Sequence, residues 1–332
     1  MSIARTRLGN TGLSVTRLAL GTMTFGLQTA EETSRLILDK AADAGINFLD
    51  TADVYPLGGT LETVGRTEEI VGRWLQGRRG DFVVATKAVG KVGPNDWDQG
   101  ASRKHLLDAI DKSLARLGTD YVDLYQLHSD DPLTPLDETL EALDTIVRSG
   151  RARYVGVSNF LAYRLARALG RADVLRVARP VSVQPRYSLL FREIERELLP
   201  LAQEEGVGVI PYNPLAGGLL TGKHKAGSAP TAGTRFTLGS TAERYQERYW
   251  HDREFASVER LQAIANEAGV PLATLSVAWV LANPAISSVL LGASKPEQLD
   301  ATLAAASYTL STELKAKLDE ASAEYRLGDA AR

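Results

Sequence analysis

The sequence predicts an α/β fold in which eight short strands alternate with helices and close into a (β/α)8 barrel of the TIM type. The first observation is that helical runs stop at a glycine, at Gly45, Gly77, Gly118, Gly150 and Gly206. A glycine just beyond a helix can adopt the left-handed conformation that ends it. The second observation is a series of short apolar stretches, five of them a few residues after these glycines. The stretches that predict strands are 18–20, 48–49, 82–85, 122–127, 154–157, 181–183, 207–210 and 288–291.

The segments between the strands have the helical period. In 106–117 and again in 136–147, apolar residues recur every three or four positions. Thr134 followed by Pro135 predicts the cap and first turn of the second helix. The run after Pro271 is apolar on almost every side, which predicts a buried helix.

An open, doubly wound sheet would also alternate strands with helices. Such a sheet carries a GxGxxG fingerprint after its first strand when it binds a dinucleotide. Here residues 18–26 read LALGTMTFG, with too few correctly spaced glycines. The closed barrel is therefore the prediction, and because such barrels reach ~250 residues and more as one unit, 1–332 is predicted to be one domain. Residues 5–15 predict an N-terminal β-hairpin that plugs one end of it.

Composition excludes several classes of protein. The 332 residues carry a net charge of −3 without a long charged block, so neither nucleic acid nor an anionic membrane is expected as a partner. There is no cysteine, which excludes disulfides and cysteine–metal sites. No apolar signal segment or uninterrupted apolar stretch of membrane-spanning length is present. A cytoplasmic protein is the expectation.

Two long segments interrupt the alternation of strands and helices. One is the glycine- and threonine-rich stretch 56–67, and the other is 223–250. Both follow predicted strands, so in a barrel both would lie over the face where the strands end. Long irregular loops in a compact fold are usually functional.

Chemically capable side chains follow three successive strands. Asp50 ends the second strand, Lys87 follows the third and His128 follows the fourth, while Tyr55 comes five residues after Asp50. In a barrel these strand ends converge on one mouth. A tyrosine has a pKa of about 10, which a nearby ammonium such as Lys87 would lower. With Asp50 holding Lys87 and with His128 orienting a carbonyl or sharing the proton, Tyr55 would be a general acid for carbonyl reduction or a base for alcohol oxidation.

Structural roles remain open for the same residues. Lys87 could simply neutralise Asp50, and His128 could be a hydrogen-bonded core histidine. A metal site is disfavoured because no His-x-His or HExxH spacing exists, although Asp50, His128, Asp130 and Asp131 could supply ligands. The other histidines are predicted to lie at the surface: His105, His224 and His251.

With these residues in view, the chain resembles an aldo-keto reductase over nearly its whole length, from the hairpin to about Ala306. The segments that carry the resemblance, in the family's order, are DTADVY, VVATK, DLYQLH, VGVSN, PYNPLAGGLLTGK and LLGASKPEQL. The resemblance implies a (β/α)8 barrel that binds NADPH without a Rossmann fold. It also implies that Asp50, Tyr55, Lys87 and His128 form the catalytic tetrad, with Tyr55 as the proton donor.

The resemblance also implies a set of cofactor-binding residues. Ser158, Asn159 and Gln184 would hold the nicotinamide carboxamide, and Tyr212 would stack on the ring. The others would be Gly21, Thr22, Met23 and Asp50 at the first two strand ends, Asn213, Pro214, Leu215, Gly217, Lys223 and Arg235 along the pyrophosphate, and Gly292, Ser294, Lys295, Gln298 and Thr302 at the adenosine end.

The adenosine end favours NADPH over NADH, because the cation of Lys295 and the hydroxyl of Ser294 suit a 2′-phosphate. The chain departs from the family in one place. Ala301 and Thr302 stand where an acidic residue and an asparagine often contact adenine. This departure puts the mode of adenine binding in doubt.

The leading prediction is an NADPH-dependent carbonyl reductase acting reversibly on an aldehyde or ketone. The chain resembles the branch of bacterial oxidoreductases related to potassium-channel beta subunits and sugar reductases. A cofactor-sensing regulatory subunit with slow or no turnover is the alternative, and a metal hydrolase on the same barrel is a third. The substrate and oligomeric state stay open. The predicted pocket walls are Thr24, Phe25, Val54, Trp97, Tyr187 and 223–250.

Overall fold

The computed structural model describes residues 3–326, and in them eight parallel strands form one curled sheet, in which the last strand along the chain lies beside the first. The order follows the chain, as a (β/α)8 barrel requires. The strands are β1 (Arg5–Arg7), β2 (Ser14–Thr16), β3 (Leu18–Gly21), β4 (Phe48–Asp50), β5 (Val83–Ala88), β6 (Val122–Leu127), β7 (Ala152–Ser158), β8 (Ser182–Gln184), β9 (Gly208–Val209) and β10 (Val289–Gly292).

Helices follow the strands and cover the outside of the sheet. The helices are α1 (Glu31–Asp43), α2 (Arg66–Leu75), α3 (Arg103–Leu117), α4 (Leu136–Arg148), α5 (Ala162–Leu175), α6 (Leu198–Glu204), α7 (Ala242–Tyr249), α8 (Asp252–Glu267), α9 (Leu272–Leu281), α10 (Gln298–Leu303) and α11 (Thr312–Ala321). Every predicted strand is present, and the five helix-ending glycines all have φ between 63° and 92°. The barrel prediction is therefore confirmed.

The sheet closes between its last two strands. Val209 forms a parallel bridge with Ile286. Ser287 N donates to Val209 O at 2.8 Å, and Leu290 N donates to Pro211 O at 3.0 Å. These contacts leave β9 and β10 without a free edge, so the strand ends form a ring around one mouth.

The N-terminal hairpin of β1 and β2 plugs the opposite end, as predicted. Leu8 and Val15 are fully buried in the inner cluster with side chains from the barrel strands. Asn10 N donates to Gly206 O at 2.7 Å. Gly9 has φ 57°, and a Cβ on it would lie 2.6 Å from Gly206 O, so only glycine fits this approach.

Two local predictions need correction. Pro135 is the N-cap of α4 rather than its first residue, and Thr134 caps no helix, because its hydroxyl donates to Asp131 Oδ2 at 2.7 Å. The segment 223–250 is not irregular throughout, since it contains 3-10 turns at Arg235–Thr237 and Gly239–Thr241 and then α7. The prediction that the run after Pro271 forms a buried helix is confirmed by α9.

The two long segments touch above the mouth. A Cβ on Gly239 would meet Gly58 O at 3.1 Å. The loop that carries Tyr55 therefore borders the loop that leads into α7. Between residues 3 and 326 no single helix is long and apolar enough to cross a membrane. Helices α8 and α9 meet the length and composition criteria only when taken together, and the chain bends by 93° between them.

Candidate active site

The strand ends surround a cavity of about 1430 Å³. Ordinary small-ligand sites occupy roughly 300–1,000 Å³, so this cavity can hold an extended ligand together with a smaller one. It brings together every residue that the sequence predicted for catalysis or cofactor binding except Lys87 and Lys295. Lys87 is buried behind the wall, and Lys295 lies exposed outside it.

The centre of the site is a buried ion pair between β4 and β5. Lys87 Nζ donates to Asp50 Oδ2 at 2.5 Å and to Thr51 O at 2.8 Å. Asp50 Oδ1 accepts from Gln184 Nε2 at 2.9 Å and from Gln126 Nε2 at 3.2 Å. Both charges are therefore paired and hydrogen-bonded, which is the condition under which a buried ion pair is tolerated.

Tyr55 lies against this pair. Its side chain is buried, and Lys87 Nζ lies 5.1 Å from the centre of its ring. The ring of His128 packs edge-on at 5.5 Å between ring centres. Backbone contacts hold the turn, because Tyr55 N donates to Ala52 O at 3.2 Å and Gly65 N donates to Tyr55 O at 3.0 Å.

The predicted effect of Lys87 on Tyr55 is wrong in direction. Burial raises the pKa of Tyr55 well above its ordinary value, and the Asp50 carboxylate raises it further. Lys87, whose ammonium was expected to lower this pKa, is itself paired with the Asp50 carboxylate at 2.5 Å. Tyr55 therefore keeps its proton at neutral pH.

His128 is neutral for a similar reason. Burial and then the Lys87 ammonium lower the pKa of His128 to about 3. A neutral imidazole donates from one ring nitrogen and accepts at the other. His128 is half-buried and lines the cavity, which argues against the alternative of a hydrogen-bonded core histidine.

A hydrogen-bonded chain continues along the mouth from His128. Asn159 Nδ2 donates to His128 O at 2.9 Å, and Tyr212 Oη donates to Asn159 Oδ1 at 2.9 Å. Ser158 Oγ donates to Gln184 O at 2.8 Å. These bonds fix the amide and ring groups that the sequence predicted around a nicotinamide.

The segment after β9 forms a cradle of backbone and cations. Asn213 Oδ1 accepts from Gly217 N at 2.7 Å. Gly217 and Gly218 have φ of 71° and 103°, conformations that favour glycine. Arg235 Nη1 is buried without a hydrogen-bond partner, and Lys223 has no ion pair within residues 3–326. Unpaired cations beside an irregular glycine-rich backbone suit an anion such as a pyrophosphate.

Several predicted positions lie elsewhere. Phe25 is fully buried, Tyr187 is buried outside the cavity, and Trp97 is 54% exposed outside it. Thr24 and Val54 do line the cavity. Sequence position placed these loops correctly but could not tell which side chains turn inward.

Two histidines predicted at the surface are buried. The ring of His105 packs under the loop after β5, and His224 packs edge-on against Phe236 and Trp250. Burial lowers the pKa of His224 to about 4. Aromatic neighbours brought together by the 223–250 segment explain this difference.

The carboxylates considered as metal ligands have other partners. Asp130 Oδ1 accepts from Arg164 Nε at 2.8 Å. Asp131 Oδ2 accepts from Ala101 N at 2.8 Å and from the Thr134 hydroxyl. In the part of the chain that is described, no three His, Asp or Glu side chains are grouped as metal ligands.

Sequence reasoning missed Gln126, which donates to Asp50 Oδ1 but does not line the cavity. It could have been found, because it lies two residues after the inward-facing Leu124 on β6 and side chains alternate along a strand. Lys91, in the loop after β5, is a wall residue without a local signal. The two long segments that were predicted to lie over the mouth supply Leu57, Leu61, Arg244, Tyr245 and Arg248.

The chain belongs to the aldo/keto reductase family, whose model matches residues 17–323. It is an oxidoreductase that acts on carbonyl or alcohol groups. Both the family resemblance and the enzyme class predicted from the sequence are confirmed.

Individual relatives match along nearly the full length. The chain is 41% identical over 323 residues to the uncharacterized oxidoreductase YrpG of Bacillus subtilis, covering 95% of this chain and 94% of the relative. It is 39% identical over 304 residues to a probable voltage-gated potassium channel subunit beta of Arabidopsis thaliana, covering 90% and 89%. It is 35% identical over 319 residues to L-glyceraldehyde 3-phosphate reductase of Escherichia coli, covering 94% and 90%.

Proposed function

We propose that the protein is an NADPH-dependent carbonyl reductase that converts an aldehyde or ketone reversibly to an alcohol, with Tyr55 as the proton donor. The observation that carries this proposal is the position of the Tyr55 ring, in the cavity wall between the Lys87–Asp50 pair and His128. Family membership supports a nicotinamide cofactor. The cytoplasm remains the predicted location.

The cavity fits such a cofactor. Arg235 carries a buried, unpartnered guanidinium nitrogen, and Lys223 lines the same cavity from the same segment, 223–250. These cations would hold the pyrophosphate, while Ser158, Asn159 and Gln184 would hold the carboxamide. Ser294 and Lys295 would receive the 2′-phosphate that distinguishes NADPH from NADH. When bound, the nicotinamide would supply the hydride.

The residues of the chain would handle the proton and the carbonyl oxygen. Tyr55 keeps its proton at neutral pH and can donate it to the oxygen on which negative charge develops. Lys87, through its pairing with Asp50, holds a positive end against the Tyr55 ring. Neutral His128 can donate one hydrogen bond to the same oxygen and so orient the carbonyl.

The test compares Tyr55→Phe with the wild type and with Tyr163→Phe as a matched control. Tyr163 is 66% exposed on α5 and lies outside the cavity. NADPH consumption is followed against a panel of aldehydes and ketones. A loss of about 10²-fold or more in kcat is expected for Tyr55→Phe only. Equal rates in all three proteins would refute the assignment of Tyr55.

The alternative is a cofactor-sensing regulatory subunit. Relatives named as potassium channel beta subunits, at 39% and 34% identity, favour it. Such a protein would bind NADPH tightly, turn over negligibly on every carbonyl and form a stable complex with a partner. Calorimetric binding of NADPH beside the turnover assay separates the two functions.

A further inference from the structure

We propose that the carbonyl substrate carries an anionic group, a carboxylate or a phosphate, that is bound by Arg248 and Lys91 at the mouth of the cavity. This inference rests on the proposed reductase function, because it names the class of substrate for the same site. Three observations support it: the excess of cations in the cavity wall, their position near His128 and Tyr212, and the apolar wall around the Tyr55 turn.

The cavity wall has more cationic side chains than a cofactor pyrophosphate would require. Its cations are Lys91, Lys223, Arg235, Arg244 and Arg248, and its carboxylates are Asp50 and Glu297. Asp50 is already paired with Lys87. None of the five cations has a carboxylate partner within residues 3–326. Most other arginines of the chain do form such pairs, so the cavity is locally deprived of negative charge.

Two of these cations belong to the cofactor cradle, and three do not. Lys223 follows β9 and lies beside Gly218, and Arg235 lies beside Gly292 at the end of β10. Arg244 and Arg248 stand one helical turn apart on α7, so they face the same way. Like charges in that arrangement repel one another, and a bound anion would relieve the repulsion.

Lys91 and Arg248 border the part of the mouth that contains His128. Lys91 follows Gly90, and a Cβ on Gly90 would lie 3.1 Å from the Val54 side chain, next to Tyr55. His128 N donates to Ala88 O at 2.8 Å, which ties the end of β5 to the histidine.

The link to Arg248 runs from the other side of His128. The hydrogen bonds from His128 to Asn159 and on to Tyr212 lead to Arg248, whose guanidinium lies beside the Tyr212 hydroxyl. Burial raises the pKa of that hydroxyl, and the Arg248 charge opposes the rise. Lys91, Arg248 and Tyr55 all line the same cavity, so an anion held by the two cations would share that cavity with the proton donor.

The part of the cavity wall around the Tyr55 turn is apolar. Leu57 N donates to Met23 O at 2.9 Å, which brings Met23 against the turn that carries Tyr55 and Val54. Met23, Val54 and Leu57 all line the cavity. A substrate with a carbonyl, a short apolar body and an anionic end matches this division of the wall.

The experiment uses matched substrates that differ in the anion alone. Succinic semialdehyde is compared with butanal, and glycolaldehyde phosphate with glycolaldehyde, so that the two pairs distinguish carboxylate from phosphate. We expect the wild type to favour at least one anionic member by about tenfold or more in kcat/KM, mainly through KM. Arg248→Met and Lys91→Met should each reduce that ratio by about tenfold, and Arg248→Lys should restore part of it.

Controls separate this role from general effects. Arg196→Met removes an exposed cation outside the cavity and should leave the ratio unchanged. Equal kcat/KM for charged and neutral members would overturn the inference while leaving the reductase intact. A raised KM for NADPH with an unchanged ratio in Arg248→Met and Lys91→Met would also overturn it, because the cations would then serve the cofactor.

A binding measurement covers the case in which the reductase function itself fails. Butanoate and butanol are titrated calorimetrically into the wild type and Arg248→Met, with and without NADP⁺. Binding of butanoate that weakens about tenfold in the variant supports the anion site even without turnover. Absence of butanoate binding, together with absence of any substrate preference, refutes it.

Discussion

Lys87→Met is expected to destabilise the fold far more than an ordinary loss of a charge. The substitution removes the donor to Asp50 Oδ2 and to Thr51 O while keeping a side chain of similar length. Asp50 is 2% exposed, and only its Oδ1 would keep partners, from Gln126 and Gln184. Removing one partner of a buried pair costs about 3–5 kcal/mol, because the other charge stays in a medium that solvates it poorly.

Two further variants show whether the unpaired charge is the cause. Adding Asp50→Asn to Lys87→Met removes the stranded carboxylate, so the double variant should recover about 2 kcal/mol of the lost stability. Lys104→Met breaks an exposed pair with Asp108, at 60% and 50% side-chain exposure, and should cost about 0–0.5 kcal/mol.

The assay is urea unfolding followed by the fluorescence of the buried Trp74 and Trp279. A free energy of unfolding for Lys87→Met within about 1 kcal/mol of the wild type would refute the reasoning. A double variant no more stable than Lys87→Met would also refute it, because the loss would then come from packing and not from the stranded charge.

Two further predictions concern pH. Since the pKa of His128 in the fold is about 3, below its unfolded value of 6.5, the unfolded state binds a proton between these values and stability falls as pH falls through that window. His128→Gln should reduce the loss of unfolding free energy on acidification by about 2–5 kcal/mol, as measured by urea unfolding at a series of pH values. Parallel plots of unfolding free energy against pH for the two proteins would contradict this prediction. Asp53 is 1% exposed with both carboxylate oxygens unpartnered, and burial followed by the neighbouring Glu68 raises its pKa well above the ordinary value. The unfolded state therefore releases this proton above pH ~4 while the fold retains it, so the wild type loses stability as pH rises. Asp53→Asn should be more stable than the wild type at neutral pH and gain less at pH ~4, and a gain that does not depend on pH would count against a retained proton.

The order of the elements could be predicted from the sequence because its signals are local. Glycines such as Gly118 and Gly150 end helices through their left-handed backbone conformation, and the apolar stretches after them form strands of the sheet. The grouping of Asp50, Lys87 and His128 then followed from the rule that parallel strand ends meet.

What could not be predicted depends on distances across the barrel. The pKa of Tyr55 rises rather than falls because its side chain is buried and the Asp50 carboxylate lies near it, and no sequence pattern states either the burial or that separation. The burial of His224 depends on Trp250, 26 positions away along the chain. Phe25, which was expected in the pocket wall, is instead fully buried outside the cavity, and the packing of its loop decides this.

The close approach of Gly58 and Gly239 couples the two long segments over the mouth, 56–67 and 223–250, and so limits how either loop can be engineered. One of these glycines belongs to the turn behind Tyr55 and the other to the segment that leads to Arg244 and Arg248. Because a side chain on Gly239 would press on the backbone at Gly58, neither loop can be lengthened or exchanged alone without displacing the other. Loops grafted from a relative should therefore be transferred as a pair, so that Tyr55 and α7 keep their relative positions.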